Sequence, residues 1–186
     1  ILGNHVEQKG SLVNPKYLRF DFTHFAKIEK ADLKKIEQDV NAKILANIAL
    51  NEHINLSLKQ AEDMGAIMLF GEKYEDVVRM IQFGSSKELC GGTHVAATGE
   101  IGLFKILSEG STSSGIRRIE ATTGTNAMIY LNDKEVLLSE IATIVKNKDL
   151  KKGVEQLIVS NKQLEKQIAT IKKDNAGNVK EELLKS

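Results

Sequence analysis

The sequence predicts an α+β fold, in which packed helices cover an antiparallel or mixed sheet and an antiparallel helical hairpin follows. Three observations predict it: apolar residues alternate with polar ones in several short runs before residue 124, a helical apolar stripe spans residues 32–48, and heptad spacing begins after residue 124. The sequence therefore divides into two predicted domains, residues 1–124 and residues 125–186.

Composition limits the class of protein. The chain has 186 residues, a formal net charge of +1, 41% hydrophobic residues and 27% charged residues, as expected for one globular domain with an appendage. A single cysteine excludes an intrachain disulfide and favours a reducing, cytoplasmic location. No apolar run approaches the roughly 20 residues of a membrane span, and no secretory signal opens the chain, so we expect no membrane partner. The near-neutral charge does not indicate DNA binding, and any RNA contact has to come from local basic patches. Because the chain begins at Ile1 inside an amphipathic pattern, we expect it to be a piece of a longer protein.

The first half of the sequence predicts strands that alternate with two helices. Residues 6–10 and 17–22 form a hairpin, and Asn14 and Pro15 mark its turn. A helix follows over residues 32–48, because its apolar residues recur every three or four positions. Residues 53–58 form a strand and residues 59–64 a short helix that ends at Gly65. Residues 66–70 and 77–83 form strands, with Gly71 in the turn between them.

The second half predicts two more strands and then only helices. A helical turn is expected at residues 95–98, and strands at 102–107 and 115–122 are joined by a Ser/Gly-rich loop. Residues 125–147 form a helix, which breaks at residues 147–149. From Val154 the heptad spacing predicts a coiled-coil seam, in which Asn161 would fix the register. The seam residues are Val154, Leu157, Asn161, Leu164, Ile168 and Ile171. The pattern is lost from residue 175, and we expect the end to fray.

The segment 88–94, which reads ELCGGTH, carries a candidate metal pair. Cys90 is the only cysteine, and His94 follows four positions later, with two glycines that permit a tight turn. Zinc binds sulfur and nitrogen ligands, but a zinc site needs about three or four protein ligands. A buried free cysteine beside a hydrogen-bonded histidine explains the same spacing, and both interpretations stay open. The other histidines, none of them at the i, i+4 spacing of a helical metal pair, are His5, His24 and His53.

Three further polar residues are candidates for binding. Gln8 lies on the apolar-facing side of its predicted strand, where it either hydrogen-bonds a loop or orients substrate or water. Arg117 and Arg118 lie next to each other on a strand and so point to opposite faces. They form either two structural ion pairs, with Glu120 on the same face as Arg118, or one ion pair and one contact with a phosphate group.

Taken together, the motifs resemble a known family. The runs HVEQKGSLVNPKYLRFDFTH, ELCGGTHVAATGEIGLFKILSEGS and GIRRIEATTG, in this order and at these separations, closely resemble the editing region of bacterial alanyl-tRNA synthetases. The resemblance covers nearly all of residues 1–124, and the helices after it resemble the linker to the C-terminal domain of the same family.

The resemblance implies an activity and a metal. Editing regions of this family hydrolyse tRNA-Ala that has been wrongly charged with serine or glycine, so tRNA-Ala is the implied partner. The implied metal is zinc, held by Cys90, His94 and two histidines of an H-x-x-x-H motif. That motif belongs just upstream of Ile1 and does not occur here, so the sequence carries half of the implied site and is expected to be inactive alone. Gln8 matches a glutamine near the editing pocket.

The resemblance also implies parts that this sequence does not contain. The aminoacylation domain, which uses ATP and magnesium, is one, and a C-terminal region that forms a homodimer is another. Two alternatives remain: a non-catalytic module for tRNA docking or dimerisation, and a free-standing trans-editing protein.

Overall fold

The computed structural model describes the backbone of residues 1–68 and 73–185, and side chains as far as residue 173. The chain forms two compact units, Ile1–Leu131 and Asn132–Ser186. The boundary falls inside the third α-helix, so that the described strands all belong to the first unit.

Seven strands and four α-helices, together with one short 3-10 helix at Thr98–Ile101, make up the regular structure of the described residues. In chain order the strands and α-helices are β1 (Gln8–Val13), β2 (Leu18–Thr23), α1 (Lys30–Leu45), β3 (Leu50–Ser57), α2 (Leu58–Asp63), β4 (Val77–Phe83), β5 (Ser86–Leu89), β6 (Phe104–Ser113), β7 (Ile116–Thr123), α3 (Gly124–Val145) and α4 (Leu150–Lys185).

The strands form two sheets, and neighbouring strands in both are antiparallel. The larger sheet has the order β1-β2-β7-β6 and the smaller one β3-β4-β5, which confirms the predicted α+β class. The predicted turn between β1 and β2 is present at Asn14. Its side-chain oxygen accepts hydrogen bonds from the backbone N–H groups of Lys16 (2.8 Å) and Tyr17 (3.0 Å), so a short polar side chain closes the hairpin.

The apolar periodicity of the sequence becomes the core. Phe22, which alternates with polar neighbours on β2, is buried together with Ile28 and Ile119. On α1 the predicted stripe places Ile44 against Phe104 of β6 in a second cluster. The smaller sheet has its own cluster, formed by Ala61, Val78, Met80 and Leu89.

Helix α1 also satisfies the backbone of β6, which is an edge strand of the larger sheet. The Asn41 amide exchanges two hydrogen bonds with Phe104, donating to its carbonyl oxygen (2.8 Å) and accepting from its N–H (2.9 Å). The Glu37 carboxylate accepts from the Ile106 N–H (2.9 Å). Side chains of a helix therefore take the place of a neighbouring strand, which keeps this edge from pairing with another chain.

Several sequence predictions about strands are corrected by the structure. The predicted Ser/Gly-rich loop 108–115 is largely strand, because β6 continues to Ser113 and its backbone pairs with β7. Serine and glycine are poor indicators here, since backbone hydrogen bonds rather than side-chain pattern hold the strand. Strand β5 was not predicted. Of the strand expected at 66–70, Ile67 forms an isolated bridge with Glu88, whereas the rest, with the turn at Gly71, falls partly outside the described residues.

The helical predictions are mostly confirmed. The helical turn expected at residues 95–98 lies three residues later, at Thr98–Ile101. The break between the last two helices is present, and α4 continues to Lys185 where fraying from residue 175 was expected. The apolar seam residues of α4 are exposed, from 42% for Val154 to 58% for Ile171, so the antiparallel packing of α4 in a hairpin stays a prediction. No helix in the described residues is long and apolar enough to cross a membrane.

Thr98 anchors the 3-10 helix to the end of α1. It is 8% exposed, and its hydroxyl donates to the Lys43 carbonyl oxygen (2.7 Å) and accepts from the Ile48 N–H (2.8 Å). The backbone N–H of Thr98 donates to the Ile48 carbonyl oxygen (2.9 Å). The segment that follows residue 94 is therefore fixed to the end of the first helix and the residues after it by part-buried hydrogen bonds.

We predict that Thr98→Val lowers the free energy of unfolding by about 1–3 kcal/mol, because valine keeps the shape of the side chain and leaves two part-buried backbone groups without their partner. Urea denaturation of the chain measures this change. Thr112→Val, on the exposed end of β6, is the matched control and should stay within about 0.5 kcal/mol of the wild type. Equal midpoints for the two variants would contradict the anchoring role.

Candidate functional site

The Cys90–His94 loop lies between β5 and the 3-10 helix. It begins directly after Leu89, the last residue of β5, whose N–H donates to the Ile67 carbonyl oxygen (3.2 Å). Cys90 is half-buried and His94 is exposed. At the far end, the Ala96 carbonyl oxygen accepts from the Leu50 N–H (2.9 Å), so the loop is held to the strand β3 as well as to β5.

Arg79 of β4 holds the beginning of this loop. Its guanidinium donates to the carbonyl oxygens of Cys90 (3.0 Å) and Gly92 (2.6 Å), and its own carbonyl oxygen accepts from the Cys90 N–H (3.2 Å). The Glu52 carboxylate of β3 accepts from Arg79 Nε (2.5 Å) and balances its charge. Since the two loop glycines have no side chains to pack, the arginine is what fixes the backbone next to Cys90. Sequence reasoning missed Arg79, because nothing in the local pattern of β4 sets it apart.

The described residues contain no group of three or more His, Cys, Asp or Glu side chains arranged to hold a metal ion. The three histidines that were considered as further ligands lie elsewhere: His5 hydrogen-bonds His24 (2.8 Å), and His53 hydrogen-bonds the side-chain oxygen of Gln82 (3.2 Å). The donors available around the loop are thus Cys90 and His94, one sulfur and one nitrogen. This donor set is of the kind that zinc prefers but falls short of the number that a zinc site needs.

A small cavity lies beside the cysteine. Its volume is about 220 Å³, and its walls include Tyr74, Val78, Arg79, Leu89 and Cys90. Pockets for drug-sized ligands usually exceed about 300 Å³, so this cavity suits a small group.

Gln8 is the first residue of β1 and is half-buried. The register between β1 and β2 is irregular between Gln8 and Gly10, and such bulges redirect the side chains next to them. The Gln8 amide donates a long hydrogen bond to Ser11 Oγ (3.4 Å). Among the residues that the structure describes, most of its hydrogen-bonding capacity is therefore available for another group, and its predicted role stays a prediction.

The two predicted RNA-contacting arginines both form ion pairs in the larger sheet. Arg118 donates two parallel hydrogen bonds to Asp21, from Nε to Oδ1 (2.7 Å) and from Nη2 to Oδ2 (2.8 Å). Arg117 donates from Nε to the Glu109 carboxylate (2.6 Å). The partner of Arg118 is thus Asp21 and not Glu120, which lies on the same face. The structure favours the interpretation as two structural ion pairs, and an RNA contact by either arginine stays a prediction.

The pairing changes the acidity of Asp21. The hydrogen bond from Arg118 holds the pKa of the Asp21 carboxyl below its usual value, and the positive charges of Arg118 and Arg19 act in the same direction. Partial burial of the carboxyl opposes this effect and only weakens it. The folded protein therefore favours the ionised carboxylate.

Comparisons with known proteins found one matching domain family and similar ligases from several bacteria. Residues 78–120 match the domain family described as Threonyl and Alanyl tRNA synthetase second additional domain. The alanine–tRNA ligase of Bacteroides fragilis is 52% identical over 100% of this chain, that of Flavobacterium psychrophilum 52% over 99%, and that of Aromatoleum aromaticum 46% over 99%. The chain spans 21% of the length of each of these relatives.

We predict that Arg79→Met loosens the loop, because it removes two charge-assisted hydrogen bonds to loop carbonyls. Amide hydrogen exchange in the peptide around residues 88–96 should become about 5- to 150-fold faster, which corresponds to a local loss of about 1–3 kcal/mol. Mass spectrometry of exchange measures this, with the β7 peptide as the internal reference. Arg79→Lys keeps the charge, and its exchange rate should lie between those of the wild type and Arg79→Met. Unchanged exchange in Arg79→Met would contradict the role assigned to the guanidinium.

We predict that Asp21→Asn lowers the melting temperature at neutral pH, and that its difference from the wild type shrinks as the pH falls below about 4. A carboxyl whose folded-state pKa is depressed stabilises the fold above its unfolded pKa, and this contribution is lost as the pH falls through the folded value. Thermal melts from pH 7 to pH 2 test this. The control is Asp39→Asn, an exposed position without an ion pair in the described part of the chain. A difference in melting temperature that does not depend on pH would contradict a stabilising role for the ionised Asp21 carboxylate.

Proposed function

This chain matches a fragment of alanyl-tRNA synthetase over its whole length, and from this premise we propose that it forms part of an editing site. The site would hydrolyse the ester of tRNA-Ala that carries serine or glycine. The observation that carries the proposal is the Cys90–His94 loop. It lies inside the matched segment, it carries a thiol and an imidazole four residues apart in the sequence, and Arg79 fixes the backbone at Cys90 and Gly92.

For the whole protein we propose the activity named by its relatives, the joining of alanine to tRNA-Ala. ATP and magnesium would act in a part of the protein that this sequence does not include. A homodimer is proposed through a region beyond this chain. The apolar seam of α4, which is exposed in the described residues, is compatible with a helical linker that meets another helix.

An enzyme that selects alanine needs an editing site, because binding alone discriminates poorly between small amino acids. A pocket that accepts alanine also admits glycine, and the added hydroxyl of serine changes binding by only about 1–3 kcal/mol. One round of selection therefore leaves errors, and a second site that hydrolyses the wrong ester removes them. The cavity of about 220 Å³ beside Cys90 supports a small aminoacyl group at this place.

Cys90 Sγ and His94 would hold zinc, and two histidines from outside this sequence would complete the four ligands. Bound zinc supplies Lewis acidity and a fixed point for orienting the aminoacyl ester. The chain itself places its two ligands on a loop with both ends anchored, by Arg79 on one side and Thr98 on the other. Because these contacts hold the backbone, little conformational entropy remains to be lost when the ligands bind.

In the proposed reaction, water adds to the ester carbonyl carbon, and the bond from that carbon to the terminal ribose oxygen of the tRNA breaks. The products are the free amino acid and tRNA with a free hydroxyl group. Gln8 would orient the aminoacyl group or the water, since within the described residues its side-chain amide makes one long hydrogen bond, to Ser11.

The alternative is a non-catalytic module that docks tRNA or joins subunits. The presence of only two metal donors around the loop in the described residues favours this alternative, because a site with two ligands does not hold zinc firmly. A free-standing trans-editing protein is less well supported, since the chain aligns with about a fifth of each much longer ligase.

We predict that a longer chain that includes the H-x-x-x-H motif binds zinc in stoichiometric amount and deacylates Ser-tRNA-Ala, and that the present chain does neither. In the longer chain, Cys90→Ala and His94→Ala should each weaken zinc binding by at least about 10- to 100-fold, the loss seen even for outer-shell partners. Gln8→Ala should slow deacylation by about 100-fold if its amide stabilises developing charge. Metal analysis and release of radiolabelled serine measure both effects.

The matched control is Gln38→Ala, an exposed position on α1. Unchanged zinc binding in the Cys90 variant would overturn the ligand assignment. Loss of zinc with unchanged deacylation would overturn the role of zinc in the reaction. Binding of tRNA without deacylation by either chain would favour the docking module.

A further inference from the structure

Three aromatic rings stack on the surface near the start of β1 and the end of β2. The rings of His5 and His24 are 5.1 Å apart between centroids and 22° from parallel, and their nitrogens share a hydrogen bond of 2.8 Å. The ring of Phe25 lies 6.3 Å from His5, also at 22°. Phe25 is nevertheless 86% exposed. A large apolar ring held in a stack and left open to solvent provides a flat face for another planar group.

Hydrogen bonds to the backbone hold the residues of this stack in place. The N–H of His24 donates to the carbonyl oxygen of Gly115 (3.0 Å), in the turn between β6 and β7. A Cβ atom at Gly115 would lie 3.4 Å from the Phe25 ring, and this residue has a φ of +71°, so a glycine lets the ring lie against the turn. The hydroxyl of Thr23 donates to the His5 carbonyl oxygen (2.7 Å), which ties the first ring to the sheet. These hydrogen bonds therefore hold the residues of the stack to the larger sheet.

A basic groove has Lys27, which follows Phe25 by two residues, in its lining. It has a volume of about 500 Å³ and lies between α1 and β6. Its lining includes three exposed lysines, Lys27, Lys30 and Lys34, which have no ion pair within the described part of the chain. Its two carboxylates are both occupied, Glu37 by Lys105 (2.9 Å) and Glu109 by Arg117. The groove therefore presents uncompensated positive charge.

We propose that this ring stack and the groove lysines form one RNA-binding surface. A base of a single-stranded RNA end would stack on Phe25, and the neighbouring phosphates would lie along Lys27, Lys30 and Lys34. Exposed rings next to a positively charged groove are the arrangement by which proteins bind single strands. A protein partner fits less well, because the cores of protein interfaces are depleted in lysine. The identity of the RNA as the acceptor end of tRNA-Ala rests on the proposed function, whereas the recognition chemistry does not.

The first arm of the test measures the phosphate contacts. Affinity for a tRNA-Ala transcript is measured by fluorescence anisotropy over a series of salt concentrations, for the full chain and for Lys27→Glu/Lys34→Glu. Each lost phosphate contact should reduce the slope of log affinity against log salt by about 0.7–0.9, so the double variant should lose about 1.4–1.8. The matched control is Lys35→Glu/Lys59→Glu, which changes the net charge equally at exposed positions outside the groove. Equal losses of slope in the two double variants would overturn the assignment of the phosphate contacts to the groove lysines.

The second arm measures stacking. Phe25→Ala should weaken binding of a hairpin RNA with a single-stranded 3′ extension by roughly 5- to 150-fold, and Phe25→Tyr, which keeps the ring, should restore it. A blunt hairpin of the same stem should bind both variants alike. Equal loss on the blunt hairpin, or no loss at all, would overturn the stacking role. Circular dichroism melts of each variant check that the fold is intact, which the exposure of Phe25 leads us to expect.

The two proposals fail in distinguishable ways. Cys90→Ala in the longer chain should bind RNA normally and lose deacylation. If the groove and ring variants bind RNA like the wild type while Cys90→Ala still loses deacylation, the RNA surface is wrong and the editing function stands. If no chain deacylates but the groove and ring variants bind weakly, the editing function is wrong and the RNA surface stands.

Discussion

The candidate site depends on the hydrogen bonds that one arginine donates to the first half of the Cys90–His94 loop. Arg79 donates to the carbonyl oxygens of Cys90 and Gly92 and is neutralised by Glu52 on the neighbouring strand. Gly91 and Gly92 have no side chains to bury, so this part of the loop has to be fixed through its backbone. The planar guanidinium suits this task because its donors are rigidly spaced. Thr98 fixes the other end, and the thiol and imidazole between the two anchors are thereby presented from a held backbone.

The charged residues of this chain divide between structure and surface. In the larger sheet, Arg117 and Arg118 are each satisfied by a carboxylate and so join strands that neighbour each other in space. The groove lysines Lys27, Lys30 and Lys34 have no such partners in the described residues and are exposed. Phosphate recognition by point charges needs cations of the second kind, which is why the groove is a better candidate for RNA contact than the arginines that the sequence first indicated.

Much of the fold followed from local pattern. Alternation predicted β2 with Phe22 facing inward, and the three-to-four spacing predicted α1 with Ile44 in the core. The pattern failed where side chains do not decide the structure. Strand β6 extends through serines and glycine because its backbone is paired by β7, and β5 is too short and too charged to show a period. Local sequence reports what a segment can bury, but a strand is completed by hydrogen bonds from its neighbours.

By itself the sequence determined the chemistry that is available: one thiol, an imidazole four residues on, and a motif order that resembles one family and is matched by close relatives. Only the tertiary structure decided which groups meet. It paired Arg118 with Asp21 across 97 positions of the chain, brought Arg79 to the cysteine loop and stacked His5 on His24. The physical reason is that hydrogen bonds and ring contacts act over a few ångströms in space, whereas the spacing of residues in the sequence records only the neighbours within one helix turn or one strand.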